Sequence, residues 1–201
     1  MTYADRLRKE DWEVRAVSIE AARPFIEAEH YAAGASNTAT YLHGLFCRGD
    51  IFDSQCKGVA WWIPPTKGAA LATFPSAWKG VLALSRLAVS QGVPKNACTF
   101  LLARSIRLID RAVWPCLVTY ADEWRGHSGT IYRAAGWEYV GLTKPERTYV
   151  KNGRMLARKA GPTTRTHAEM LALGAQCVGS FAKHKFRLIA QSSQPRVERA
   201  A

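Results

Sequence analysis

Acidic residues are in short supply: 16 Asp and Glu stand against 28 Lys and Arg in 201 residues, a net charge of +12 and a pI near 9.8. The shortage is greatest late in the chain, where residues 143–201 hold only Glu146, Glu169 and Glu198 beside 12 Lys and Arg. A basic third on a near-neutral body fits a polyanionic partner, nucleic acid above all, with a plain solvated face as the bland alternative. Long apolar runs are also missing. No stretch of about 18 apolar residues occurs, so no membrane span is expected. The opening MTYADRLRKEDWE lacks the apolar centre of a secretory signal. No Cys-x-x-Cys pair exists, and Cys47, Cys56, Cys98, Cys116 and Cys177 form an odd set. That disfavours a zinc site or a disulfide framework and points to reduced thiols. There is no internal repeat. What is present is 48% apolar content, enough for a core in a chain of one-domain length.

Hydrophobic spacing supplies the elements. Residues 12–18 alternate and predict a strand. Residues 19–34 have helical spacing closing at Gly34, with Pro24 in the first turn or at a kink. Residues 39–49 and 56–65 predict a hairpin joined by DIFDSQ. Residues 69–80 are ambiguous, 81–90 a strand, and 96–113 the clearest amphipathic helix. A buried strand at 116–122, a helix at 129–136 and a strand at 137–142 follow. Residues 147–160 predict a hairpin turning at Asn152-Gly153, a favoured type I′ pair. A short helix at 166–177, a last strand at 183–190 and a flexible tail at 191–201 complete the chain. The expectation is one α/β domain over 1–190, a mixed central sheet flanked by helices, with a basic C-terminal extension at 143–190.

Chemistry gathers in two places. In LSRLAVSQGVPKNACTFLLARSI a strand ends near Val89 and a helix starts near Asn96. The small residues Ala97, Cys98 and Thr99 leave backbone N–H groups open to a phosphate, and Lys95 adds charge. Many strand–helix junctions share this look without binding anything. The second place is ADEWRGHSGTIYRAAGWEYVGL (121–142). There Tyr132, Gly136 and Trp137 form Tyr-x-x-x-Gly-Trp on a helix followed by a strand. This order of elements resembles the GCN5-related N-acetyltransferase family, with PKNACT standing where that family carries a glycine-rich loop. EHY (29–31), LSRLAV (84–89), YAD (120–122) and GHSGTIYRAAGWEYVGL (126–142) resemble the Mom family of adenine-modification proteins of phage Mu and related phages and prophages. The likeness covers about residues 25–190.

The resemblance implies a variant acetyltransferase fold acting on double-stranded DNA in the cytoplasm of a bacterial host. It implies a methylcarbamoyl group placed on the exocyclic amine of adenine, which protects phage DNA from restriction. Acetyl-CoA is the implied acyl source, held by Leu87, Val89, Lys95, Asn96, Ala97, Cys98 and Thr99, with Ser105 a weaker candidate. Iron is associated with the family, although no ligand set is named by the sequence. A homodimer stays open. The implied catalytic set is His30, Tyr31, Arg86, Asp122 and Tyr132.

Residue chemistry can be weighed beside that. Tyr132 suits proton donation to a departing thiolate, or a hydrogen-bonded place in the core. Asp122 ends a buried strand at the sheet's carboxyl end, where it can orient or deprotonate an amine, or cap the next segment. Arg86, inside an apolar strand, needs a partner, and Asp122 is expected to provide it. His30 and Tyr31 suit recognition of a base, and His127 a phosphate or a loop contact. Trp61, Trp62 and Trp78 suit stacking on an extruded base, or a core. Arg147, Lys151, Arg154, Arg158, Lys159 and Arg165 are expected to contact phosphates, which positions DNA without reading its sequence. Two other functions compete: an acetyltransferase acting on a protein or small-molecule amine, and a DNA-binding protein without catalysis.

Overall fold

The protein is described from a computed structural model, which covers residues 6–32, 34–48, 55–160 and 163–190. Residues 50–54 of the connector expected between the first hairpin's strands, and the expected flexible tail, lie outside the described residues.

A seven-stranded sheet forms the centre. Its strands are β1 (Trp12–Ala16), β2 (Tyr41–Cys47), β3 (Gly58–Ile63), β4 (Val81–Val89), β5 (Cys116–Asp122), β6 (Glu138–Leu142) and, far along the chain, β12 (Lys183–Ile189). The order is β1-β2-β3-β4-β5-β12-β6, antiparallel throughout except for the parallel pair β4–β5. Side chains alternate faces along a strand, so Trp61 and Trp62, neighbours on β3, enter different cores. Trp62 packs with Leu101 and Leu102 of α3 (Ala97–Arg107), and Trp61 with Ala22 and Ile26 of α1 (Ile19–Glu29). Both rings are fully buried, with indole N–H groups donating to Ser105 Oγ at 2.7 Å and to the Thr38 carbonyl at 3.0 Å. They are core residues and present no face to an extruded base. Trp78 is partly buried beside Ala70, Val81 and Ala83.

Most expected elements form, and the differences have local causes. α1 stops at Glu29 because His30 turns extended (φ −90°, ψ 138°), short of the expected end at Gly34. α3 stops at Arg107 because Asp110 Oδ1 accepts from the amides of Ala112 and Val113, a side-chain turn that competes with helix. The ambiguous stretch becomes α2 (Lys67–Leu71), capped by Thr66, and a 3₁₀ turn over Pro75–Gly80. The hairpin of β7 (Glu146–Lys151) and β8 (Arg154–Met155) turns on Asn152 (φ 51°) and Gly153 (φ 73°), as a type I′ turn requires. The short strands β9 (Lys159–Ala160) and β10 (Thr163–Thr164) pair next. α5 (His167–Ala172) opens with a Thr166/Glu169 capping box and ends early, and β11 (Gln176–Phe181) occupies residues expected to be helix or loop.

The basic segment is not appended to the fold. β12 returns to the central sheet between β5 and β6, so residues 143–182 form an insertion with its own sheet, ordered β11-β7-β8. The insertion holds seven Lys or Arg against Glu146 and Glu169. It also grips the end of α1. Met155 N–H donates to the Tyr31 carbonyl at 3.2 Å, Ala32 bridges to Met155, and Arg154 Nη2 donates to the Ala28 carbonyl at 3.0 Å. A cation on the last carbonyls of a helix meets the negative end of its dipole, and α1 has no basic residue of its own there.

Candidate active site

β4 and β5 pair only over Val81–Leu84 and Cys116–Thr119, yet β4 runs on to Val89 and β5 to Asp122. Beyond Leu84 the two strands part. Ser85 is an extra residue in β4, a bulge opposite the step from Trp61 to Trp62, and bulges bend the strand that carries them. The gap is a cavity of about 380 Å³ whose lining includes His30, Tyr31, Arg86, Leu87, Cys98 and Tyr132. The loop between β5 and α4 (Thr130–Ala134) closes one side of it. That loop needs glycine at 129: φ is 76°, and a Cβ there would lie 2.2 Å from the Phe186 ring.

Five expected catalytic residues therefore meet around one place, but their partnerships differ from expectation. Asp122, buried at the end of β5, does not take Arg86 as its partner. Its Oδ1 lies 2.7 Å from Lys183 Nζ, and its Oδ2 accepts from the Tyr31 hydroxyl. Lys183 stands directly across from Asp122 in the β12–β5 register, which is why the pair forms. Arg86 donates instead to backbone: Nη1 to its neighbour Ser85's carbonyl at 2.7 Å, and Nε and Nη2 to the Gly34 carbonyl at 3.4 and 3.3 Å. It remains close enough for its charge to be felt at His30, and for it to feel the charge of Asp122.

Burial and neighbouring charge set the proton inventory. Burial, followed by the Arg86 charge, holds His30 down at a pKa of about 4, so its imidazole is neutral at pH 7. Nδ1 of that ring accepts from the Ala32 amide at 3.1 Å, which leaves the proton on Nε2. Burial and then Asp122 push the Tyr31 phenol well above the usual tyrosine range, so it is a donor to the carboxylate. Burial pushes Tyr132 up to about 12, and its ring is wedged among Trp137 and Phe186 at 5.7 and 5.4 Å. Cys98 is pushed up to about 11 by burial, which makes it a lining thiol and not a thiolate nucleophile. Tyr31 is boxed in: stacked on His30 at 4.3 Å, edge-on to His127 at 5.6 Å, and under the Arg125 guanidinium at 5.5 Å.

The expected cofactor cradle is brought together in part. Leu87 and Cys98 line the cavity, while Lys95, Asn96 and Thr99 line a separate open depression with Arg6 at the start of α3. Asn96 Oδ1 accepts from the Leu7 amide at 2.7 Å, and Ala97 is fully buried. Val89 pairs with Gly58 of β3. Ser105 does not belong to the group. It is fully buried, accepts from Trp62, and shares a 2.7 Å hydrogen bond with His43, whose pKa burial lowers to about 4.

A second cavity, of about 370 Å³, contains Asp122 and Lys183 together with Trp124, Arg147, Arg158 and Lys159. The Tyr31–Asp122 hydrogen bond thus joins the linings of the two cavities. Of the six expected phosphate contacts, Arg147, Arg158 and Lys159 are here. Lys151 donates to the Leu173 carbonyl at 2.7 Å, Arg154 caps α1, and Arg165 donates to the Ala157 carbonyl at 3.4 Å. Lys183 and Trp124 were missed by sequence reasoning. No local pattern marks either one, since Lys183 acquires its role from strand register alone.

Iron does not find a donor set here. Among the described residues no group of three or more His, Cys, Asp or Glu side chains could hold a metal ion. In the first cavity the Tyr31 phenol keeps its proton, and each Asp122 oxygen already has a protein partner.

The model of the Mom protein family matches residues 11–194. The methylcarbamoylase mom of Escherichia phage Mu is 26% identical over 132 residues, which is 64% of this chain and 53% of that relative. The chain thus aligns with about half the length of the curated relative. Among solved structures, Arabidopsis thaliana NAA60 in complex with a bisubstrate analogue gives a TM-score of 0.57 at 11% identity, over 90% of this chain and 99% of that one. A GNAT family acetyltransferase from Elizabethkingia anophelis with acetyl-CoA bound gives 0.53 at 10% identity, again over 90% and 99%. The fold is that of these acetyltransferases. Among the described residues no helix is long and apolar enough to cross a membrane.

Proposed function

The chain belongs to the Mom protein family, and on that premise we propose that it is a transferase that modifies the exocyclic amine of adenine in double-stranded phage DNA. The product is the methylcarbamoylated base, and the benefit is protection from host restriction. Acetyl-CoA is the source of the two carbons and loses its thiol; because the methylcarbamoyl group holds one nitrogen more than an acetyl group and is two electrons more oxidised than acetyl plus ammonia, the full reaction also consumes a nitrogen donor and a two-electron oxidant. The observation that carries the reading is Asp122, held by Tyr31 and Lys183 where the linings of two cavities join.

Acetyl-CoA supplies a thioester-activated acyl carbon. The first cavity, at about 380 Å³, suits the acyl end of such a molecule. From Arg86 to Val89, β4 pairs with β3 on one side while its pairing with β5 has ended. An open strand edge inside a cleft offers N–H and C=O groups to the amides of an extended ligand. Tyr132, protonated and beside this edge, is placed to give its proton to the departing sulfur.

The acceptor side needs more help. An adenine amine is a poor nucleophile because its lone pair is shared with the ring. Asp122 retains unused lone-pair directions beyond the two taken by Tyr31 and Lys183, and it is the group to receive the amine proton. Tyr31 and Lys183 fix its carboxylate plane, which limits the reorganisation that proton transfer would otherwise require. Neutral His30, with its proton on Nε2, serves as a hydrogen-bond donor to an acceptor atom in the cavity. Arg86 secures the Gly34 turn behind it.

The second reading is an acetyl-CoA-dependent N-acetyltransferase acting on a protein or small-molecule amine. Fold likeness alone favours it, whereas the basic insertion beside Asp122 favours DNA. The test is plasmid DNA from cells expressing the chain. It should resist restriction nucleases whose sites contain adenine, and DNA from cells expressing Tyr132→Phe should be cut. Full cleavage in both cases would reject the reading.

A further inference from the structure

The second cavity has a composition that the chemistry at Asp122 does not by itself demand. It is walled by the insertion and by the 3₁₀ turn Glu123–Arg125 that follows β5. Within it, the rings of Trp124 and Phe181 stand among the cations Arg147, Arg158 and Lys159, with Glu146 as the acid besides Asp122. Trp124 is half-buried, and the Arg125 guanidinium sits 5.2 Å from its ring centroid, over one face of the indole. Aromatic faces with cations around them match a base with its phosphates. At about 370 Å³ the cavity suits one nucleotide and is far too small for a duplex. A base inside a duplex presents its amine to no such cavity unless it leaves the stack.

We propose that this cavity seats a single nucleotide extruded from double-stranded DNA, with Trp124 stacking on the base and Arg147, Arg158 and Lys159 holding the adjoining phosphates. The proposal rests on DNA being the substrate, and it assigns the place where the target enters. The base then approaches Asp122 through the second cavity while the acyl donor occupies the first, so the two reactants converge from different sides of the hydrogen-bonded Tyr31–Asp122 pair. The wall that receives the nucleotide also holds Tyr31, through the Met155 amide's hydrogen bond to the Tyr31 carbonyl.

The test uses two duplexes of one sequence: one fully paired, and one whose central adenine faces an abasic site. An unpaired adenine costs less to extrude, so the wild-type chain should bind that duplex more tightly by on the order of tenfold. Trp124→Ala should lose most of that preference, and Trp124→Phe, which keeps a π face, should retain most of it. Arg147 is exposed, so Arg147→Ala provides an arm that does not depend on core folding. It should weaken binding of the unpaired duplex more than of the paired one. A preference unchanged in folded Trp124→Ala, or equal weakening of both duplexes by Arg147→Ala, would overturn the cavity assignment while leaving the DNA reading intact. Binding to neither duplex by the wild type would instead strike the DNA reading itself.

Discussion

Replacing Asp122 by Asn probes the centre of the site with little change of shape. The carboxamide oxygen still accepts from Tyr31, but the amide nitrogen then faces Lys183 Nζ, which has only donors. A partner stranded in the interior would cost about 3–5 kcal/mol. Lys183 is not stranded, because its side chain is 41% exposed against 9% for Asp122. Water takes over the ammonium, and the loss of stability falls to about 1–2 kcal/mol. For a chain of this size that is a drop in Tm of roughly 2–8 °C, which leaves a folded protein at 25 °C. Modification should fall by about 100-fold or more, the loss expected when a proton acceptor is removed from the reacting atoms. The assay pairs nucleoside analysis of plasmid DNA from expressing cells with thermal melting followed by circular dichroism. Wild-type levels of modification by folded Asp122→Asn would refute the catalytic assignment. Unfolding at 25 °C would refute the argument that Lys183 is rescued by solvent.

Other perturbations separate roles within the same architecture. Tyr132→Phe removes only a buried hydroxyl, so folding should persist while turnover falls steeply; single-turnover rates against thermal melts check both. His30 and His43 have folded pKa values near 4, below the ordinary 6.5, so the unfolded chain binds more protons between these values and stability drops as pH falls through that window. Each contributes on the order of 2–3 kcal/mol at pH 7 that is absent by about pH 4; urea titrations at pH 7 and 5 should show the decline, and His43→Gln should lessen it. Replacing Arg147, Arg158 and Lys159 by Ala should flatten the log–log salt dependence of DNA binding by roughly 0.9 for each phosphate no longer neutralised, and an unchanged slope would make them a merely solvated face. Arg154→Ala should act differently, loosening the end of α1 and lowering Tm without a comparable change in that slope.

Local patterns in the sequence carry much of this architecture. Asn152-Gly153 announces its turn because few residue pairs accept two positive φ angles, alternation reveals β1, and a continuous apolar, β-branched run reveals β4, whose first half is buried on both faces. Residues 29–31, 84–89 and 126–142 point to the first cavity because their motifs are contiguous in the chain. Partnerships between distant strands are another matter. Arg86 and Asp122 look like an inevitable ion pair when only the two apolar strands are considered. The splay of β4 from β5 separates them, and the return of β12 between β5 and β6 delivers Lys183 instead. Nothing in residues 183–190 announces that position, since their apolar pattern fits an edge strand equally well. The same blindness made residues 143–190 look like an extension, and made Ser105 look like a cofactor residue when it anchors Trp62 and His43 in the core.

The most direct measurement is mass spectrometry of the nucleosides released from DNA of cells expressing this chain. The account predicts a modified deoxyadenosine whose added mass is that of a methylcarbamoyl group, present with the wild type and nearly absent with Asp122→Asn. Unmodified deoxyadenosine throughout, together with acetylated protein or small-molecule amines in the same cells, would contradict it.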